Sequence, residues 1–220
     1  MAYGLIIKNS SNYIQIDQDH PNYTLIASGT ISIRASAIGS VNPAKVSFPS
    51  QESPIVVCIG ATGSAFVTLG ARTPTTIDFV ASASVSLPYR IYATTSDNPG
   101  AMTGYGFIVK NASGGVVFNG NNAYMRVGQV VFSTVGYSTM PTVNHSFGNA
   151  FVDATNLGSR MSFRRADTIT DFAYATSLGM QVGNGFYKYG AVVTWTAQGI
   201  IGPGDYNATV EIEQAMVLSA

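Results

Sequence analysis

Charge is scarce in this sequence. Eleven basic and eleven acidic side chains among 220 residues cancel to a formal net charge of zero and make up 10% of the chain, where a globular domain carries about a quarter. Without an excess of positive charge there is no field to hold a phosphate backbone, so nucleic acid is not an expected partner. The basic cluster of Arg160, Arg164 and Arg165 is interleaved with Asp153, Asp167 and Asp171, which reads as local ion pairing at a surface. With so few charges, surface polarity must come from Ser, Thr, Asn and Gly, and a weakly charged surface favours association.

Cysteine is nearly absent. A single residue, Cys58, excludes an internal disulfide, and its place in the apolar run Pro54-Ile-Val-Val-Cys-Ile59 reads as a small buried hydrophobe. No apolar run is long enough to span a membrane as a helix. The start, Met-Ala-Tyr-Gly-Leu-Ile-Ile-Lys, has no basic n-region, apolar h-region or small-residue cleavage site, so neither membrane insertion nor secretion is expected. At 220 residues the chain can bury one substantial core or two small ones with no disulfide or metal.

Residues arranged for catalysis are also missing. Glycoside hydrolysis needs two carboxyl groups across a cleft; the available pairs, Asp17 with Asp19, Glu211 with Glu213 and Asp167 with Asp171, read as turn, polar-face and ion-paired residues. His20 precedes a proline in a turn, and His145 lies in Val143-Asn-His-Ser-Phe147 with no second ligand at metal spacing. Neither a nucleophile elbow nor a phosphate-binding loop is present. Gly179-Met-Gln-Val-Gly-Asn-Gly185 is glycine-rich but runs into an aromatic strand pattern rather than a helix. The expectation is a protein that is not an enzyme, with no catalytic residue, metal or cofactor.

What the sequence does hold is strand signal. Short β-branched and aromatic segments alternate with Gly, Asn, Ser and Pro clusters: Tyr3 to Asn9, Tyr13 to Asp17, Tyr23 to Arg34, Lys45 to Phe48, Ile55 to Gly60, Phe66 to Leu69, Ile77 to Ala83 and Tyr89 to Ala93. The second half continues with Tyr105 to Asn111, Val116 to Asn119, Tyr124 to Thr134, Ala150 to Asp153, Met161 to Arg164, Gly190 to Thr196 and Thr209 to Leu218. Thr30-Ile-Ser-Ile-Arg34 and Thr209-Val-Glu-Ile-Glu213 alternate most clearly, as half-buried strands do. Only Thr168 to Leu178 could pass for a short helix. An all-β, sandwich-type architecture with short strands and negligible helix follows.

The chain also repeats itself. Tyr3-Gly-Leu-Ile-Ile-Lys-Asn-Ser-Ser11 recurs as Tyr105-Gly-Phe-Ile-Val-Lys-Asn-Ala-Ser113, identical at six of nine positions. Each copy reads as a β-hairpin, returning through Tyr13 to Ile16 in the first and Val116 to Phe118 in the second. A spacing near half the chain suggests two related modules, 1–101 and 102–220, with Thr95 to Thr103 as their connection. The competing organisation is one intertwined sandwich over 1–135 followed by a C-terminal β region.

The pattern Tyr-Gly-hydrophobic-x-hydrophobic-x-Asn, a polar turn, then hydrophobic-x-hydrophobic-Asp resembles a module of tail-associated virion proteins of tailed bacteriophages. Tyr3 to Asp17 carries it, and Tyr105 to Asn119 carries it again with Ala112-Ser-Gly-Gly115 as the turn and Asn119 in place of the Asp. The resemblance covers those two segments and does not reach beyond residue 135. It implies a structural subunit of a virion tail, baseplate or connector, made in the host bacterial cytoplasm. Its partners would be other copies, as a trimer or six-fold ring, and other virion structural proteins. A receptor- or carbohydrate-binding module at a fibre or tail tip is the second expectation and a capsid decoration protein the third. For a host-surface glycan, the sequence offers the aromatic group Phe186, Tyr187, Tyr189 and Trp195, although core packing or subunit contact is the expected use, since strands alternate ring directions and tyrosine is common in interfaces.

Overall fold

The computed structural model describes residues 6–8, 14–17, 22–37, 40–51, 54–100, 106–132, 142–148, 150–155, 157, 161–165, 172–198 and 214–218. All regular structure among them is strand: β1 (Ile6–Lys8), β2 (Ile14–Asp17), β3 (Tyr23–Ile33), β4 (Ala44–Ser47), β5 (Val56–Ile59), β6 (Val67–Arg72), β7 (Thr76–Ala81) and β8 (Val85–Thr94). Then come β9 (Ile108–Lys110), β10 (Val116–Asn119), β11 (Val127–Phe132), β12 (Thr142–Asn144), β13 (Phe151–Asp153), β14 (Met161–Arg165), β15 (Phe172–Gly183), β16 (Phe186–Gln198) and β17 (Gln214–Leu218). The protein is all-β, and each named strand pair is antiparallel.

Two large sheets form the sandwich. A six-stranded sheet has the order β11-β17-β13-β5-β8-β3, and a seven-stranded one the order β12-β16-β15-β6-β7-β4, with β14 added on β15. Period-two alternation supplies the core between them: Val57, Ile59, Leu87, Ile91 and Val152 from the first sheet meet Val46, Val67, Ile77, Phe79, Met180 and Val182 from the second. Phe79, Ile59 and Ile91 are fully buried, and each such side chain contributes roughly 1.5–3 kcal/mol. Strand pairing outweighs local preference at residues 172–178. The sequence allows a helix there, yet the chain runs as β15, paired with β14 on one side and β16 on the other.

Strand order repeats outward from the middle of both sheets. From the centre of the first, β5-β8-β3 mirrors β13-β17-β11; from the centre of the second, β6-β7-β4 mirrors β15-β16-β12. Strands β3 to β8 thus match β11 to β17 one for one, β14 standing outside the scheme. The hairpins β1–β2 and β9–β10 precede the two sets as small sheets of their own. Equivalent strands join the sets: Ile59 faces Val152 and Cys58 faces Asp153 across β5–β13, while Val67 faces Met180 across β6–β15. The first joint extends through Ala154 N donating to Val57 O at 2.7 Å and Val57 N donating to Thr155 Oγ1 at 2.9 Å. At the second, a Cβ on Gly179 would lie 3.2 Å from the Val67 carbonyl oxygen, so glycine lets the two backbones approach.

Candidate interaction surface

The surface features follow from how the repeated hairpin feeds the outer strands. Strand β3 is eleven residues long and bends at a bulge between Leu25 and Ala27. Its first turn-out is occupied from the other half of the chain: Leu25 N donates to Ala123 O at 2.8 Å and Met125 N to Tyr23 O at 3.0 Å. Asn22 and Thr95 complete this seam, Asn22 O accepting from Thr95 N at 2.8 Å and from Thr95 Oγ1 at 2.7 Å. Past the bulge, Ser28, Gly29, Thr30 and Ser32 are exposed. Gly29 lies opposite Tyr89 on β8, whose hydroxyl would be 3.1 Å from a Cβ at that glycine. The tyrosine ring therefore covers the gap in the strand.

The second hairpin carries a row of aromatic rings. Phe107, 50% exposed, has its centroid 6.2 Å from that of Phe118, and Phe118 stacks on Tyr124 at 4.7 Å. Buried Asn119 holds the adjoining turn, its Nδ2 donating to Pro99 O at 2.7 Å and its Oδ1 accepting from Asn121 N at 3.1 Å. Tyr124 closes the arrangement, its hydroxyl accepting from Asn119 N and donating to Asn119 O at 2.9 Å. Nothing in the local sequence singles out this row, because the hairpin register and the seam on β3 bring its members together. The two repeat copies gave the available signal, since position 118 falls on a returning strand opposite Val109.

Beneath the seam lies a small second cluster of Val56, Cys58 and Tyr92, packed by Tyr23, Leu25, Met125 and Phe151. Cys58 is fully buried between Arg90 on β8 and Asp153 on β13. Burial pushes its thiol well above the ordinary value, and Asp153 adds to this against Arg90; a thiol kept protonated is a poor nucleophile. Burial also raises Asp153, opposed by hydrogen bonds from the backbone and side chain of Thr155. Arg90 lies 4.1 Å over the Phe151 ring.

The aromatic group expected from the sequence is split by the pleat. Tyr187 and Tyr189 are 0% and 2% exposed and belong to the main core, their rings 5.8 Å apart and edge-on. Neither ring is open to a glycan: strand alternation turns both inward, so of the uses the sequence left open these two residues take core packing. Burial pushes the Tyr187 hydroxyl up to about 12, with Tyr189 beside it acting in the opposite sense. Phe186 is half-buried. Trp195 pairs with Ala175 through the backbone of β16, and its side chain lies outside the described residues.

Of the candidate carboxylates, Asp17 ends β2 opposite Ile6, whereas Asp19, Asp167, Asp171, Glu211 and Glu213 lie outside the described residues, as does His20. His145 is buried beyond β12, its Nδ1 accepting from Phe147 N at 3.3 Å. Among the described residues no three or more metal-binding side chains come together. Compared with known protein families, with curated proteins and with solved structures, the chain matches none.

Proposed function

We propose that this chain is a structural subunit of a bacteriophage virion, in the tail, baseplate or connector, which works by self-association and by contacts with neighbouring virion proteins and performs no catalysis. The observation that carries the reading is the doubling of one hairpin-and-strand plan within a single chain: two hairpins, two outer strands, and sheets whose order mirrors about their centres. Symmetric assemblies are built from surfaces used more than once, and a chain that already joins equivalent strands edge to edge has the chemistry for it. Low charge works in the same direction, because adjacent copies meet little repulsion.

The test is imaging of the intact particle at a resolution that traces this chain. Density for it in a ring among tail or baseplate subunits is the expected result. Density on the head surface would make it a capsid decoration protein, and absence from the particle would overturn the virion reading. A second reading has its own support. Phe107, half-exposed at the end of an aromatic row and next to an Asn-rich turn, offers a face on which a sugar ring can stack, as a receptor- or carbohydrate-binding module at a fibre or tail tip would. Glycan-array binding that disappears in Phe107→Ala would favour it over the purely structural role.

A further inference from the structure

We propose that the outer edge of β3, from Ile26 to Ser32, pairs antiparallel with the same edge of a second copy of this chain. The inference deepens the assembly reading above by naming the surface. Strand β3 is hydrogen-bonded to β8 along one side, and among the described residues its other side is taken only at Tyr23 to Leu25. The exposure of Ser28, Gly29, Thr30 and Ser32 leaves the remainder of that edge open. An edge strand presents a row of backbone donors and acceptors, and proteins normally blunt it with charge, proline or brevity. Strand β3 has none of the three, and its bulge between Leu25 and Ala27 lies at the start of this edge and not within it: the strand runs for eleven residues and contains no charged residue and no proline.

The outer strand of the opposite sheet shows what a blunted edge looks like in this protein. Strand β4 has four residues, carries exposed Lys45, and is flanked by Pro43 and Pro49. The two edges are treated differently, and the unprotected one is the long one. Its occupied end shows that it accepts an antiparallel partner, since the chain already lays Ala123 to Met125 along it.

A second copy fits the remainder. Centred on Gly29, two-fold pairing sets Ser28 against Thr30 of the other copy and Ala27 against Ile31. Hydroxyl meets hydroxyl in the first pair and apolar meets apolar in the second, Ile26 falls against Ser32, and no charge meets its like. The internal joints β5–β13 and β6–β15 already pair equivalent strands antiparallel, so the intermolecular contact repeats a solution present in the fold.

Sedimentation velocity on the full chain over a range of concentrations tests this, with three forms compared. The unmodified chain should self-associate. The double variant Ser28→Lys with Thr30→Lys, on exposed positions, places like charges opposite each other and should weaken association by about tenfold or more. The double variant Ser28→Glu with Thr30→Lys places opposite charges there and should restore it, with circular dichroism reporting the same fold in all three. Association that is the same in the two double variants discards the β3 edge but leaves the assembly reading standing on other surfaces. An unmodified chain that stays monomeric throughout overturns the β3 proposal, while particle imaging still decides the wider reading.

Discussion

The two hairpins share a backbone and part company in what they hang on it. In the first, Ile6 faces Asp17, Ile7 faces Ile16 and Lys8 faces Ile14, with the register slipping between Ile7 and Lys8. In the second, 102 positions on, Ile108 faces Asn119, Val109 faces Phe118 and Lys110 faces Val116, with a slip at the corresponding place. Register and bulge therefore belong to what the copies have in common: the Ile-hydrophobic-Lys-Asn strand and a polar turn of fixed length. The side chains that differ, Leu5 against Phe107 and Ile16 against Phe118, leave the pairing unchanged. In the second copy Phe118 stacks on Tyr124, just past the hairpin, and Tyr124 clamps Asn119.

The sharpest way to break that clamp is at Asn119 itself. Alanine there removes the 2.7 Å bond to Pro99 O, which keeps only a 3.4 Å contact from Asn122 Nδ2, and the acceptor of Asn121 N; at about 0.5–1.5 kcal/mol for each hydrogen bond, the two together contribute about 1–3 kcal/mol. Asn119→Asp, which installs the residue of the first hairpin, should cost at least as much near neutrality, because a carboxylate cannot donate to Pro99 O. Acidification should relieve it, since the protonated carboxyl regains a donor. Urea denaturation at two pH values checks both. A neutral Asn119→Asp would mean that the two hairpins tolerate each other's residues and that the clamp contributes nothing.

Next in size is the turn. Gly114 has φ of 85° and Asn111 folds over it, its Oδ1 accepting from Gly115 N and Ser113 Oγ, each at 2.8 Å. A left-handed backbone costs an ordinary L-residue about 1–2 kcal/mol, less for asparagine. The first hairpin has Asn12 at the matching position. Gly114→Ala should therefore destabilise by about 1 kcal/mol, and Gly114→Asn by clearly less, as read from denaturation midpoints. Equal losses would mean that asparagine holds no advantage at this left-handed position.

How far all this could be read from the sequence depends on distance along the chain. The hairpins were legible because strand, turn and return lie within fifteen residues and appear twice. The strand β3 was legible too, its alternation Thr30-Ile-Ser-Ile standing out. The joints were not, since which strand meets β5 is settled by packing against a partner about a hundred residues away, and no local pattern encodes that choice. Strand β12 was missed because its three residues, Thr142–Asn144, are held by β16 rather than by their own propensity. At residues 186–189 the alternation was visible, but the sequence cannot say which face is inside, and Tyr187 and Tyr189 took the core.

A smaller effect is expected at Tyr124. Removing its hydroxyl in Tyr124→Phe keeps the 4.7 Å stack on Phe118 and withdraws both contacts with the Asn119 backbone, for about 0.5–1.5 kcal/mol. Tyr124→Ala also removes the stack and should cost more. The difference between the two variants measures the ring pair separately from the hydroxyl. If they lose the same amount, the stack adds no stability and the row is held by the turn alone.

The smallest expected change in stability is also the most informative about function. Phe107→Leu gives the second hairpin the residue of the first at a half-exposed position, where substitutions usually shift stability by less than about 0.5 kcal/mol. The fold, the Phe118–Tyr124 stack and the hairpin register should all survive. Only the exposed ring would be gone. If the second hairpin differs from the first merely through drift at a tolerant surface, then thermal melting, self-association and glycan binding should all be unchanged. If instead the aromatic row has been built for contact, one interaction should fall while melting stays put. Loss of glycan binding would assign the row to a receptor, and loss of association would assign it to a neighbouring subunit, so that a near-silent substitution separates the readings that the two hairpins leave side by side.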